Sequence, residues 1–321
     1  MKAAVYSKYG SADVLSVEDV EKPKPLPDEV LIKVYVSTVN RTDAGFRRAN
    51  YFISRFFTGL LKPKRQVWGS EFAGVIEEVG ADVSEFIIGD KVFGFDDLRG
   101  KAHAEYMAFK AIGPIALIPK GFTYQQIAAA GEGATYALND IWAANVKKDQ
   151  NVMVYGASGA IGSAAVQLLK YMGANVTAVC GTKNVDLLKS LGADKVIDYQ
   201  TQDFTNTKDR YDLIFDAVGK SSYGACKQLL KPTGKYCSTE LGWGGQNPLL
   251  AIWFAVTGSK KVIFPIPKIN KDIILYIQNR VEEGVYLPVI DKSYPLESIT
   301  DAARYVDTGQ KTGNVLIKIA S

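Results

Sequence analysis

The chain is poor in the residue types that most often announce a metal or redox site. It has three cysteines, Cys180, Cys226 and Cys237, and one histidine, His103, in 321 residues. No two cysteines form a C-x-x-C pair, and an odd count argues against a disulfide framework. A reducing compartment, the cytoplasm, is therefore expected. Long apolar runs are lacking too. The longest of note, "LLAIWFAV" at 249–256, falls well short of the roughly 20 residues a spanning helix needs, so no transmembrane segment is expected. The first residues, "MKAAVY", already alternate like a strand, which gives no sign of a signal or transit peptide. A strong charge excess is also missing. The net charge is +4, too mild to leave a nucleic-acid footprint, and no nucleic-acid partner is expected. Neither an internal repeat nor a low-complexity tract is present.

What is there is an ordinary globular composition, 47% hydrophobic and 22% charged, long enough for two domains of roughly 100–200 residues each. Residues 1–122 read as short strands punctuated by Gly and Pro. In "EVLIKVYVS", Val30, Ile32, Val34 and Val36 point one way and Lys33, Tyr35 and Ser37 the other, the period of a half-buried strand. "FAGVIEEVG", "IGDKVFGF" and "HAEYMAFK" follow as further strands, giving an all-β, barrel-like beginning. At Thr123 the texture changes. Thr123 and Gln126 form a T-x-x-Q capping box before the helical run "QQIAAAGEGATYALNDIW". Short apolar strands then alternate with helices through "NVMVYGA", "NVTAVCG", "KVIDY", "YDLIFDAVG", "GKYCSTE" and "KKVIFPI". That alternation predicts a doubly wound parallel sheet over 123–270. The tail, 271–321, with a helix and the strand "GNVLIKIA", is expected to return to the first domain.

One loop carries chemistry. "VYGASGAIG" joins a strand to a helix with glycines at 156, 159 and 162. Gly159 leaves room for a pyrophosphate, Gly162 lets the helix pack close to the strand, and the helix N-terminus offers free N–H groups and a positive dipole. The following helix is expected to bury Ile161, Ala165, Leu168, Leu169 and Met172, with Gly173 as its C′ residue. The next strand ends in "VTAVCGTKN". Folds that bind NAD place a carboxylate at that end for the ribose 2′-hydroxyl. Here Thr182 and Lys183 stand instead, a hydroxyl and a cation suited to a 2′-phosphate, with Tyr199 of "KVIDY" beside them. The residues thus predict NADP(H). Lys183 as a solvated lysine at a helix start is the plainer alternative.

Together these segments resemble the zinc-free medium-chain dehydrogenases/reductases of the quinone oxidoreductase and enone reductase group. The resemblance rests on "VNRTDAG", "GSEFAGVIEEVG", "GDKVFGF", "HAEYM", "GASGAIG" and "GQKTGNVLIKI", which span the chain. It implies a GroES-like catalytic domain (1–122 and 271–321) and a Rossmann NADP-binding domain (123–270), an active site in the cleft between them, and a homodimer. Zinc-dependent relatives bind catalytic metal through a Cys and a His at positions that here are Asn40 and Ser70, poor ligands for zinc. The four cysteines of a structural zinc site are absent before Cys180. Without a Lewis acid, hydride delivery to an electron-poor carbon remains accessible, and quinones and enones qualify.

The resemblance also implies roles. Asn40 faces the cleft and orients the nicotinamide or donates to the substrate oxygen. Asp43 either positions that loop or caps a helix. Tyr51 matches a tyrosine that protonates enoyl thioesters in relatives, or else walls the pocket while water gives the proton. Thr135 stands near the nicotinamide carboxamide. Gly156, Ser158, Gly159, Ala160, Ile161 and Gly162 contact the dinucleotide, and Asn314 is a further cofactor candidate or a strand-start residue. Glu132 is a polar neighbour or a solvated charge, and His103 is structural or exposed rather than catalytic. Residues 52–68 form a lid or touch an anionic membrane. "NPLLAIWFAVTG", with Trp253 and Phe254, is a dimer contact or a pocket wall. The expected function is NADPH-dependent reduction of a quinone or enone. The alternatives are an enoyl-thioester reductase and a non-catalytic, RNA-binding, crystallin-like NADPH protein.

Overall fold

A computed structural model describes residues 1–49, 54–64 and 66–320. Along the chain come β1 (Lys2–Val5), β2 (Ser16–Asp19), β3 (Glu29–Val39), α1 (Arg41–Arg48), α2 (Ser54–Thr58), β4 (Glu71–Val79), β5 (Lys91–Phe95), β6 (Tyr106–Lys110), β7 (Ile115–Leu117), α3 (Tyr124–Ile127) and α4 (Gly131–Ala144). Then follow β8 (Asn151–Tyr155), α5 (Ala160–Tyr171), β9 (Asn175–Cys180), α6 (Val185–Ser190), β10 (Lys195–Asp198), β11 (Tyr211–Asp216), α7 (Tyr223–Cys226), β12 (Leu230–Ser238), α8 (Gln246–Val256) and β13 (Val262–Ile263). The last elements are α9 (Lys271–Glu282), β14 (Ile290–Pro295), α10 (Ile299–Asp307) and β15 (Asn314–Lys318). Met1–Glu132 with Ile269–Ser321 form one compact unit, and Gly133–Lys268 another.

The first unit is built on β3. It pairs antiparallel with β4 along most of its length, with β6 at its start and with β15 at its end. The tail therefore returns to the first sheet, whose order is β14-β15-β3-β4-β5-β7 with β6 also on β3. Val30, Ile32, Val34 and Val36 are buried, and Lys33 and Tyr35 are partly exposed, as alternation requires. The alternation stops at Ser37 and Thr38, both fully buried, where the strand enters a polar interior. Phe72, Phe109, Ile32 and Met107 pack one core beneath this sheet. A second core joins Val39, Val315 and Ile317 to Ala302, Ala303 and Val306 of α10.

The second unit has a six-stranded parallel sheet in the order β10-β9-β8-β11-β12-β13. Strand order reverses between β8 and β11, the switch point at which such sheets bind ligands beyond their carboxyl ends. Val152, Met153 and Val154 of β8 are fully buried, which explains their unbroken apolar run. Helix α5 buries Ala164, Ala165, Leu168 and Leu169, while Ile161 and Met172 stay half-buried at its ends. Gly173 has φ +77, the left-handed C′ position expected of it.

Two expectations need correction. The helical run after Thr123 is two helices. The capping box is present, with Thr123 Oγ1 accepting from the Gln126 N–H at 3.3 Å and Gln126 Oε1 accepting from the Thr123 N–H at 2.9 Å. Yet α3 ends at Ile127, and α4 starts afresh at Gly131, packed so closely on Phe95 that a Cβ would clash. His103 is not in a strand; it precedes β6, with its backbone N–H on Trp68 O at 2.8 Å.

Candidate functional site

In the second unit, β8 runs into Gly156 (φ +74), and α5 begins with Gly159 as its N-cap. The three glycines do different work. A Cβ on Gly156 would stand 2.5 Å from Val218 of the loop after β11. A Cβ on Gly162 would clash with Gly156 O and lie 2.7 Å from Ala157 Cα, so only glycine lets α5 approach the loop. A Cβ on Gly159 would meet nothing nearer than Gly156 O at 3.6 Å, so this glycine is held open toward space rather than protein. Ser158 is half-buried and Ala160 buried in the same turn.

Asp216, invisible as a site residue in the sequence, organises the opposite side. This fully buried carboxylate accepts from the backbone N–H groups of Val218 (3.1 Å), Gly219 (2.8 Å) and Ser221 (2.8 Å), and from the Tyr236 hydroxyl (3.1 Å). Four donors to one carboxylate fold the loop that presses Val218 onto Gly156. In α4, the Thr135 hydroxyl is buried and has no hydrogen-bond partner among the described residues. Its carbonyl accepts from Asn139 Nδ2 at 2.8 Å, so the orphan is the Oγ1 alone.

At the end of β9 the structure adds a group that the sequence argument lacked. Thr182 Oγ1 donates to Asp198 Oδ2 at 2.6 Å, and the Thr182 N–H donates to Gln200 Oε1 at 2.9 Å. A carboxylate does stand beside the loop, brought by the next strand over. Tyr199 is half exposed, with its N–H on Cys180 O at 3.0 Å and its hydroxyl close over Gly181. Lys183 is exposed at the loop tip. A groove lined by Tyr155, Tyr199, Gln200 and Phe204 opens alongside, with the Tyr155 and Phe204 rings 4.8 Å apart.

In the first unit, Asn40 is the N-cap of α1. Its side-chain oxygen accepts from the Asp43 N–H at 2.8 Å, and the Asp43 carboxylate accepts from the Asn40 N–H at 3.3 Å, closing a capping box. Asn40 Nδ2 donates to Ser70 Oγ at 2.7 Å. Both positions that hold metal in zinc-dependent relatives are thus buried and bonded to one another. An amide N–H spent on a hydroxyl offers no lone pair to a cation, and His103 Nε2 is occupied 2.7 Å from Thr38 O. This donor set does not fit zinc, and no step is derived through a metal.

Around that pair lies a buried acidic cluster. Glu71, fully buried, accepts from the Glu132 N–H with one oxygen and from the Thr38 hydroxyl with the other, each at 2.7 Å. Glu132, expected as a neighbour or a solvated charge, is 3% exposed and accepts from Thr42 Oγ1 at 2.6 Å. Burial pushes Asp43 up to about 7. Burial, then the neighbouring Glu132, pushes Glu71 up to about 8, and burial pushes Glu132 up to about 7. Burial also lowers His103 to about 4, so its ring is neutral and presents an Nε2–H to the Thr38 carbonyl. At the start of β15, whose Val315 pairs with Val39 just before Asn40, Asn314 is buried. Its Nδ2 donates to Val289 O at 3.1 Å, while its Oδ1 has no partner among the described residues. Tyr51 lies outside the described residues, as do parts of 52–68. Among the described residues no helix is long and apolar enough to cross a membrane.

Two family models match successive stretches of the chain. Residues 26–140 match the family model of the alcohol dehydrogenase GroES-like domain, and residues 191–317 that of a zinc-binding dehydrogenase. The chain is 31% identical to a chloroplastic quinone-oxidoreductase homolog of Spinacia oleracea, over 99% of this chain and 98% of that one. It is 30% identical to an NADPH-dependent alkenal/one oxidoreductase of Arabidopsis thaliana, over 99% and 79%. Among solved structures, the quinone oxidoreductase from Coxiella burnetii superposes with a TM-score of 0.89 at 25% identity, covering 100% of this chain and 99% of that one.

Proposed function

Because the chain belongs to the medium-chain dehydrogenases/reductases, in their zinc-free quinone oxidoreductase and enone reductase group, and is a pyridine-nucleotide oxidoreductase, we propose that it reduces quinones or α,β-unsaturated carbonyls with NADPH. The observation that carries this reading is the pairing of an open Gly159 with a closed Gly162 at the sheet's switch point, beside an orphan Thr135 hydroxyl. Space for a pyrophosphate and an unspent hydroxyl are what a dinucleotide would fill.

In this reading a bound nicotinamide supplies a hydride. Ser158, Ala160, Ile161 and the α5 N-terminus hold the pyrophosphate through backbone N–H groups, and Gly159, whose own N–H is on Gly156 O at 3.2 Å, leaves the room for it. Thr135 Oγ1 donates to the carboxamide and fixes which ring face is presented. Lys183 and Tyr199 face the 2′-phosphate, and Asn314 offers an acceptor to the cofactor. On the substrate side, Asn40 keeps one amide hydrogen beyond the one given to Ser70, and that is the donor we assign to a substrate oxygen. Tyr51 is assigned the proton for an enone. The first unit then serves as the catalytic domain and the second as the cofactor domain. The uncharged outer face of α8, with Leu249, Ile252, Trp253 and Val256 exposed, supports a homodimer, and three free buried thiols support a reducing, cytoplasmic setting.

The test is NADPH oxidation against three acceptors: a quinone, a short enone and an enoyl-CoA. Turnover of the first two supports the proposal. Turnover of the thioester alone transfers it to enoyl reduction. No turnover on any acceptor, with NADPH-sensitive RNA retention on a filter, replaces it with a binding protein.

A further inference from the structure

The loop that ends β9 offers a hydroxyl and a cation and has no carboxylate of its own, which by itself suits a phosphate. The structure changes the terms. In the parallel ladder Asp198 is the register partner of Cys180, so β10 delivers its carboxylate to the mouth of that loop. Cys180 registers the charge: its thiol is pushed up to about 11 by burial and by the adjacent Asp198. The carboxylate is bonded on both sides. Oδ2 accepts the Thr182 hydroxyl at 2.6 Å, and Oδ1 accepts the Gln200 N–H at 3.0 Å. Gln200 in turn uses its side-chain oxygen to take the Thr182 N–H.

Two consequences follow for a ribose placed there. Thr182 has one hydroxyl hydrogen and one amide hydrogen, and both are committed inside the protein. It faces outward with lone pairs, which suit a 2′-hydroxyl that donates and do nothing for a phosphate that only accepts. A negative charge also stands behind it, which a 2′-phosphate meets as repulsion and a 2′-hydroxyl does not.

We propose that Asp198 is a coenzyme-specificity residue: by holding the Thr182 hydroxyl and placing a carboxylate at the 2′ position, it restrains the preference for the phosphorylated dinucleotide. Lys183 and Tyr199 attract the phosphate, Asp198 and Thr182 oppose it, and the wild-type protein accepts both NADPH and NADH with a moderate bias to the first. This rests on the dinucleotide reading of the Gly156–Gly162 loop.

The test separates the two ideas by using fragments that need no acceptor. Isothermal titration of the intact protein with 2′,5′-ADP and with 5′-AMP gives a ratio of dissociation constants. In Asp198→Asn, which keeps shape and removes charge, the ratio moves toward 2′,5′-ADP by about fivefold at low salt, and the gain shrinks as salt screens the loop. The ratio of kcat/KM for NADPH over NADH rises in parallel. In Thr182→Val the 2′,5′-ADP affinity holds within about twofold, because no hydrogen was being donated to the phosphate. Asp198→Ser, without charge or reach, repeats the direction of Asp198→Asn if the latter folds poorly. Tight fragment binding with an unchanged ratio in both Asp198 variants overturns the inference and leaves the cofactor reading standing. A wild-type protein that binds neither fragment nor NADPH overturns both.

Discussion

Replacing Glu71 with glutamine isolates the proton held in the first unit's buried acidic cluster. A carboxyl whose folded pKa is raised to about 8 stays protonated in the folded chain, while in the unfolded chain it ionises near 4.5. Its contribution to stability is complete below that unfolded value and is lost as pH rises toward the folded one. Over the same range His103 works in the other direction. Its ring is neutral down to about 4 in the fold, so unfolding gains a proton, and stability is lost, as pH falls below the ordinary histidine value of about 6.5. The window for the carboxyls is therefore above about pH 6.5, with buried Lys311, held below its ordinary value by burial beside Glu132 and Glu71, working against them toward the alkaline side. Each proton retained from there to about pH 8 corresponds to about 2 kcal/mol lost. Wild type should lose about 3–4 kcal/mol between pH 6.5 and 8.5, about 2 of it from Glu71 and a little under 1 each from Asp43 and Glu132, whose values lie near 7. Glutamine keeps an oxygen for the Glu132 N–H and turns its amide to the Thr38 hydroxyl, so Glu71→Gln should lose only the roughly 1–2 kcal/mol that Asp43 and Glu132 contribute. Urea unfolding followed by tryptophan fluorescence reads this. Trp68, in the first unit, is 5% exposed, whereas Trp142, Trp243 and Trp253 are 46%, 89% and 63% exposed, so the burial signal belongs to the unit that carries Glu71. Equal slopes in the two proteins, or wild-type stability rising through the window, would refute the cluster as a store of protons.

Three further outcomes are expected. Lys183→Ala should raise KM for NADPH more than for NADH, by the equivalent of about 1 kcal/mol at an exposed site, and equal effects on both would remove Lys183 from the phosphate site. Gly159→Ala should fold with wild-type stability yet lose most dinucleotide affinity, whereas Gly162→Ala should destabilise by about 2 kcal/mol or more; thermal melts and titration with NADPH distinguish them. Thr135→Val should leave the melting temperature of the cofactor-free protein level or slightly higher, since an unpaired buried hydroxyl is removed, and raise KM for the cofactor about fivefold. A fall in stability with an unchanged KM would make Thr135 a packing residue.

The fold was legible where local rules govern. Alternation in β3 held from Ile32 to Val36, and the Thr123–Gln126 box marked a helix start. Alternation failed at Ser37 and Thr38, whose hydroxyls bond to the Glu71 carbonyl and carboxylate. The strand abandons its pattern at the point where it joins the polar interior. Glu132 reads as exposed in a helical segment, because the partner that buries it, Thr42, comes from a distant part of the chain. Asp198 was equally hidden. Nothing near it in sequence says that strand pairing will set it against Thr182, and the absence of an acid at the end of β9 pointed the other way. The glycine loop was readable because its requirement is local: a backbone with no room for a Cβ at 162 and empty space at 159. Asp216 needed the folded loop to reveal it, since the backbone N–H groups of Val218, Gly219 and Ser221 carry no signature until they converge on one carboxylate.

The central claim is a metal-free transfer of hydride from NADPH to an electron-poor carbon. Protein treated with a chelator and supplied with NADPH deuterated at both C4 positions and an enone should turn over with the cofactor as its only requirement, and NMR of the product should find the deuterium at the β-carbon. Product without deuterium from the cofactor, or turnover that returns only when zinc is added, would contradict it.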